Sequence, residues 1–533
     1  MQTVMINGDH LDIPTVVAVA RAADVRVAIA PEARARMQRS RAAVEQFVRD
    51  GAVVYGITTG FGKFQDQVIS PGDVEQLQRN IVMSHAVGTG PLLQAEVVRA
   101  MLLIRANTLA KGISGIRPEV VDLLLALLEH EIAPSVPAQG SLGSSGDLAP
   151  LAHIALVLIG LGEAELDGQR LDGLSALRRA ELAPVVLQAK EGLALTNGTA
   201  LMAGLGALTT YDADVLCRTA DVAAAMSLEA MAGVLAAFDP RIHAVRPHPR
   251  QIECAAWMRT ILQDSGFVCQ EPGAGGVCVT PFKVQDAYSL RCVPQVHGAI
   301  RDTVAYADWA ITIELNSATD NPLIFVDDEG RAEAISGGNF HGEPLALALD
   351  YLALGLTELA NISERRLARL LDPARNAGLL PPFLIDQGGL NSGLMLLQYT
   401  AAALASENKV LAHPASADTI PTSGGQEDHN SMGATAARQA HQILQHGQTV
   451  VACELIAAAQ AIDLRRRSLG SGAQLGRGTT AAHALIRQHV PFLERDAVLA
   501  PYIEAVRQLV ARGAVCAVVE ERVHMPRAVA TPL

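Results

Sequence analysis

The chain has 533 residues, of which 50% are hydrophobic and 18% charged, with a formal net charge of −13. That length is too great for one compact core and implies two or three domains or one elongated helical body. The acidic balance argues against nucleic acid or an anionic membrane as the main partner.

The charged fraction falls below the ~25% usual in soluble domains, so much of the surface is expected to be buried against itself or against further copies of the chain. Apolar stretches such as 154–161 are far shorter than the ~20 residues of a membrane helix. The opening MQTVMINGDHLDI lacks the basic-then-apolar pattern of a secretion signal. The expectation is a cytoplasmic, soluble homo-oligomer. Cys217, Cys254, Cys269, Cys278, Cys292, Cys453 and Cys516 are scattered with no CxxC pair, which predicts reduced thiols rather than a zinc cluster or disulfide framework.

In chain order, AVVYGI (52–57) reads as a short strand. SPGDVEQLQRNIVMSHAVGTG (70–90) reads as a cap, a proline at the first helical position and a helix, with Val74, Leu77, Ile81 and His85 along one face. Two further helices are predicted at 94–112 and 117–132. The run 199–238 holds no proline and is stopped by Asp239-Pro240, which predicts one long bundle helix. Other long helical patterns cover 288–314, 343–371 and 431–464, and PLIFVDD (322–328) reads as a second strand. Glycine-rich connectors lie at 271–281 and 468–472. The architecture is expected to be mainly α, with an N-terminal domain over 1–200, a central long-helix bundle over 201–480 and a C-terminal helical segment over 481–533.

GSLGSSGDLAP (140–150) does not read as an ordinary loop. As a plain helix start, Ser145 would cap and Pro150 would be tolerated early in the helix, but one cap needs one serine. The Gly-Lys-Ser/Thr ending of a phosphate loop is missing, and Gly143-Ser144-Ser145-Gly146 does not fit a Gly-X-Ser-X-Gly elbow. Backbone chemistry offers a fourth reading. In a tight loop the Gly146 amide nitrogen can attack the Ser144 carbonyl carbon, because glycine has no Cβ to block the approach. Loss of two waters would leave an imidazolone ring with an exocyclic methylene from Ser145, an electrophile at the positive end of a helix dipole.

This segment resembles the cofactor-forming loop of the aromatic amino acid ammonia-lyases, which build a 4-methylidene-imidazol-5-one (MIO) from Ala-Ser-Gly. VYGITTGFGKF (54–64), LTNGTALM (195–202), VQDAYSLRCVPQVHGA (284–299), LNSATDNPLIF (315–325), SGGNFHGEP (336–344), SERR (363–366), SENKVLAHPAS (406–416) and GGQEDHNSMG (424–433) resemble the family in its order. Ser84-His85 and Gln426–His429 are similar to the histidine ammonia-lyase branch. The resemblance implies a fumarase/aspartase-like helical bundle with the MIO loop in its N-terminal domain. It also implies a homotetramer whose sites draw on several subunits, and elimination of ammonia from L-histidine to give trans-urocanate, the first step of histidine degradation. The alternative is a tyrosine or phenylalanine ammonia-lyase, or an aromatic 2,3-aminomutase, using the same group.

Carried over motif by motif, Ser144, Ser145 and Gly146 would form the electrophile and Tyr55 would be the base. A neutral tyrosine is a poor base, so that role requires a local field favouring the phenolate. Arg291 would hold the substrate carboxylate, and Asn197 and Gln285 would hydrogen-bond the cofactor or that carboxylate. Tyr288 would assist near the amine, Phe340 would pack on the ring, and His85 and Glu427 would read the imidazole. Taken singly, each fits an ordinary core, loop or helix-start residue; their order along the chain carries the assignment. No histidine pair has metal-ligand spacing, so no metal is expected.

Several positions depart from the family pattern. Ser144 stands where the family has alanine, Gly424-Gly425 stands where histidine lyases commonly have Ala-Asn, and Asn430 where they have valine. RPHPRQ (246–251) resembles the phenylalanine-lyase and aminomutase branches, and the stretch 271–283 is longer than a histidine lyase implies.

Overall fold

The computed structural model describes residues 2–22, 25–269, 285–470 and 472–524. The long stretch 271–283 and Cys278 lie outside them. Among the described residues the chain is mainly helical, and its contacts divide it into two compact units. The first holds Met1–Tyr211, Ala307–Asp350 and Pro414–Gln439; the second holds Asp212–Tyr306, Tyr351–His413 and Ala440–Leu533.

Every described strand belongs to the first unit. Gln2–Ile6 and Val25–Ile29 pair in parallel across the connecting helix Ile13–Arg21. Glu163–Leu166 and Gln169–Asp172 form a hairpin whose Asp167-Gly168 turn has φ of 52° and 70°, the doubly left-handed geometry that an Asp-Gly pair supplies at least strain. Leu323–Val326 pairs with Ala332–Ile335, as the sequence predicts for its first half. The stretch 52–57 is not a strand. Gly56 turns the chain at φ 67°, and the Thr58 hydroxyl donates to the Ala52 carbonyl at 2.6 Å and accepts from the Val54 amide at 2.9 Å. These local bonds take the groups a ladder would need. The segment is pinned by Ile57, fully buried with Val44, Val74 and Ile324.

The helix predicted from Ser70 begins at Val74. The Ser70 hydroxyl donates to the Asp73 carboxylate at 2.7 Å, and Asp73 N donates to Ser70 O at 3.0 Å, so this stretch closes a turn and Asp73 takes the N-cap position. Ala95–Ala110 and Pro118–Glu129 follow as expected. Ala200–Ala230 is shorter than the run 199–238. Ala232 adopts φ 49°, Gly233 donates to Leu228 O at 2.8 Å and Ala232 to Glu229 O at 3.1 Å, a Schellman ending that stops the helix before the proline. The pattern 288–314 divides into Tyr288–Arg291 and Val293–Leu315, with Pro294 in the first turn of the second piece, where its missing N–H costs least. Glu343–Leu371 and Gly433–Leu469 complete the long helices. Glu343–Leu371 is long and apolar enough to cross a membrane, with 72% of its apolar window buried inside the fold; Asp350 and Glu358 interrupt its apolar run in sequence.

Cys217, Cys254, Cys453 and Cys516 are free and buried, and Cys292 is free. Cys269 is disulfide-bonded, against the expectation of reduced thiols throughout; pairing depends on the approach of Cβ atoms in space, which linear spacing does not display.

In the second unit, Glu229 is fully buried, accepting from Ser265 Oγ at 2.6 Å and Gly476 N at 2.7 Å. Burial pushes its carboxyl up to about 7 from an ordinary 4.5. The folded state therefore holds this proton more tightly than the unfolded chain. The stability it confers is complete below about pH 4.5 and is lost as the pH rises to about 7. We expect the difference in urea-unfolding free energy between wild type and Glu229→Gln to fall steadily over that interval; a flat difference would contradict a protonated Glu229.

Candidate active site

The 140–150 loop is built so that Gly146 touches backbone. Gly146 sits at φ 71°, and a Cβ there would lie 2.2 Å from Gly198 O, so no other residue fits. The two glycines form an isolated parallel bridge, and Asp147 N donates to Gly198 O at 2.6 Å. Ser145 does not cap the helix Leu148–Leu158; Asp147 occupies the N-cap position. Its carboxylate reaches the start of another helix, accepting from Leu201 N at 2.9 Å, Met202 N at 3.0 Å and Ser141 Oγ at 2.9 Å. One fully buried residue thus ties the loop to the N-terminus of Ala200–Ala230. Burial outweighs these donors and raises its carboxyl to about 6.

Two other segments are stitched to the same loop. Gly342 N donates to Gly143 O at 2.9 Å, which places Phe340; Met432 N donates to Leu142 O at 2.8 Å and Ser431 Oγ to Gly143 O at 3.0 Å, which places Glu427. Gly424 and Gly425 have φ of 61° and 88°, so this turn needs residues free to adopt left-handed backbone. The Asn430 side chain donates to the Ile420 carbonyl and its backbone amide to Thr419 Oγ1, which fixes the same turn from below.

These segments line a cavity of about 1420 Å³ that includes Tyr55, His85, Ser144, Ser145, Asn197, Phe340 and Glu427. Asn197 Nδ2 donates to Ser145 O at 2.7 Å. Ser144 Oγ donates to Glu427 Oε2 at 2.8 Å and Ser145 Oγ to Glu427 Oε1 at 3.2 Å. The Tyr55 hydroxyl accepts from Gly62 N at 3.3 Å. His85 ends the helix Val74–His85, with Nδ1 3.1 Å from Ser84 Oγ. Burial lowers its pKa from the ordinary histidine value and so favours the neutral imidazole, against the opposing pull of the Ile81 carbonyl and the Glu427 charge. Seven of the sequence-predicted positions therefore line one cavity, with Gly146 bonded directly to Ser145.

Gln285, Tyr288 and Arg291 belong to the second unit and do not line this cavity. Tyr288 is 71% exposed, the Arg291 guanidinium carbon lies 4.7 Å from its ring centroid, and the buried Arg291 Nε has no partner among the described residues.

A model of the family described as aromatic amino acid lyase matches residues 11–488. The chain belongs to the aromatic amino acid lyase family. It is 56% identical to a histidine ammonia-lyase of Chloroflexus aurantiacus over 97% of this chain and 98% of that one. Among solved structures it is similar to histidine ammonia-lyase from Trypanosoma cruzi, with TM-score 0.89, 40% identity and coverage of 100% and 99%. It is also similar to tyrosine aminomutase from Streptomyces globisporus, with TM-score 0.91, 37% identity and coverage of 98% and 100%.

Sequence reasoning on this aromatic amino acid lyase did not single out Thr422 or assign Asp147 its capping role. Thr422 Oγ1 donates to Glu427 Oε2 at 3.2 Å; neither residue carries a spacing signal that ties it to its partner. His341 and His429, whose rings stack at 5.6 Å, also lie at the cavity. With Glu343 they bring three possible ligand atoms within 4.8 Å of one another, a grouping that linear spacing did not display.

Proposed function

We propose that this aromatic amino acid lyase eliminates ammonia from L-histidine to give trans-urocanate, as a cytoplasmic homotetramer. The observation that carries the substrate choice is the pair of Glu427 and His85 lining the same cavity as Ser144 and Ser145, with burial favouring the neutral form of His85. A carboxylate and an imidazole nitrogen can hydrogen-bond an imidazole side chain; a phenyl ring would leave the carboxylate uncompensated. The high identity to a histidine ammonia-lyase points the same way.

The residues present fit an MIO group. Packing against Gly198 leaves Gly146 no room for a Cβ, and a residue without a Cβ suits an amide nitrogen that must approach the Ser144 carbonyl carbon. Ser144, Ser145 and Gly146 would form the group, and Asn197 would hold it through Ser145 O. When present, the group supplies an electrophilic methylene that draws electrons from the substrate. Asn197 is aimed at the carbonyl oxygen where such electron density collects, the placement that stabilises developing negative charge.

Tyr55 is our candidate for the base that takes the weakly acidic β-proton, with Gly62 N directing its hydroxyl. Phe340 would pack on the ring. Arg291 would bind the carboxylate in bidentate fashion, assisted by Gln285, with Tyr288 beside the amine. We place these three in the site of another copy of the chain. Two features support that placement: the exposed Tyr288–Arg291 stack, and a cavity larger than the ~300–1,000 Å³ that encloses a small ligand, which these walls alone leave open.

The test is a product panel on L-histidine, L-tyrosine and L-phenylalanine. Urocanate and ammonia from L-histidine are expected. Cinnamate or coumarate without urocanate would replace the substrate assignment, and a β-amino acid would replace the lyase by a mutase.

A further inference from the structure

Ser144 is the position where this chain adds a hydroxyl to the family's alanine, and ring closure makes no use of that hydroxyl. Ser144 is nonetheless buried, 6% exposed as a residue, and its hydroxyl is engaged. The two oxygens of Glu427 are sorted by their donors: Oε2 accepts from Ser144 Oγ at 2.8 Å and Thr422 Oγ1 at 3.2 Å, whereas Oε1 accepts from Ser145 Oγ at 3.2 Å. The Ser145 hydroxyl is the one that dehydration removes. Oε1 is then released, while Oε2 keeps both of its donors.

We propose that the Ser144 hydroxyl is a positioning residue that locks one oxygen of Glu427 so that the other is presented to the substrate's imidazole N–H. This rests on the histidine-lyase reading above. The hydroxyl is carried on the residue whose carbonyl carbon enters the ring, so the orientation of the carboxylate is coupled to that of the electrophile. Alanine here would leave Oε2 with Thr422 alone and free the carboxylate to rotate.

The experiment compares Ser144→Ala, Ser144→Thr, Glu427→Gln and the Ser144→Ala/Glu427→Gln double variant. Ring formation is checked in each by mass and ultraviolet absorption, and kcat and KM are measured on L-histidine. Ser144→Ala is expected to form the ring and to lose about tenfold in kcat/KM, the scale of one hydrogen bond to a charged group, mostly as a rise in KM, because the imidazole contact is already made in the bound substrate. Ser144→Thr, which keeps the hydroxyl, should recover most of the loss, and adding Ser144→Ala to Glu427→Gln should cost little more.

A second measurement needs no ring. In Ser145→Ala, which also frees Oε1, calorimetric affinity for imidazole should fall about tenfold when Ser144→Ala is added. Wild-type kcat/KM in ring-bearing Ser144→Ala, an equal loss with and without Glu427, or unchanged imidazole affinity would each overturn the proposal. Failure of the wild type to release urocanate would overturn the substrate reading, and the imidazole affinities would still decide the role of Ser144.

Discussion

Ser145→Ala is expected to end turnover of L-histidine while leaving the fold intact. Alanine has no hydroxyl to lose, so no methylene can form. The loss should exceed the ~10²–10³-fold that follows removal of one charge-stabilising donor, because the electron acceptor itself is gone. The substitution is mild structurally: Ser145 Oγ bonds only Glu427 Oε1, at 3.2 Å, a carboxylate that keeps Ser144 and Thr422. The ultraviolet shoulder of the imidazolone should vanish, and helical circular dichroism and the unfolding midpoint should stay near wild type. An active Ser145→Ala protein would remove the electrophile from the account.

The second large effect is expected at Tyr55→Phe. Removing a general base costs ~10²–10⁴-fold. Tyr55 is only half-buried, and its hydroxyl has one bond, at 3.3 Å from Gly62 N, so the protein should fold and form the ring. The variant separates two failures that a simple activity assay merges: its imidazolone absorption should persist while kcat falls and KM changes little. Loss of the absorption together with activity would make Tyr55 a maturation residue, and retained activity would move the base elsewhere.

Much of this was legible in the chain itself. The long helices announce themselves by apolar spacing and by the absence of proline, and Glu343–Leu371 coincides with its sequence pattern. One end differs because of a left-handed residue: Ala232 has no composition signal, yet it ends Ala200–Ala230 well before Pro240. The strand misread at 52–57 arose because adjacent valines read as β, while the decisive interaction is the Thr58 hydroxyl folding back on Ala52 and Val54. Asp167-Gly168 was a readable hairpin signal that went unused. The parallel pair Gln2–Ile6 and Val25–Ile29 is joined across a helix, and such non-local pairing leaves little trace in a short window.

The site divides in the same way. The 140–150 loop stands out in the sequence because the chemistry proposed for it is local: Ser144, Ser145 and Gly146 are consecutive. What surrounds it is not local. Asp147 caps a helix start 54 residues away, and the partner of Ser144 is 283 residues away. Position along the chain therefore gives the Ser144 hydroxyl no role, whereas the fold sets it 2.8 Å from Glu427 Oε2.

The account's central claim is that Ser144, Ser145 and Gly146 become the electrophile. The most direct measurement is the mass of the peptide spanning 140–150, released by proteolysis from active protein. The account predicts a mass lower than the sequence requires by two waters, with the loss confined to Ser144–Gly146. A peptide of full mass, from a preparation that releases urocanate, would contradict it.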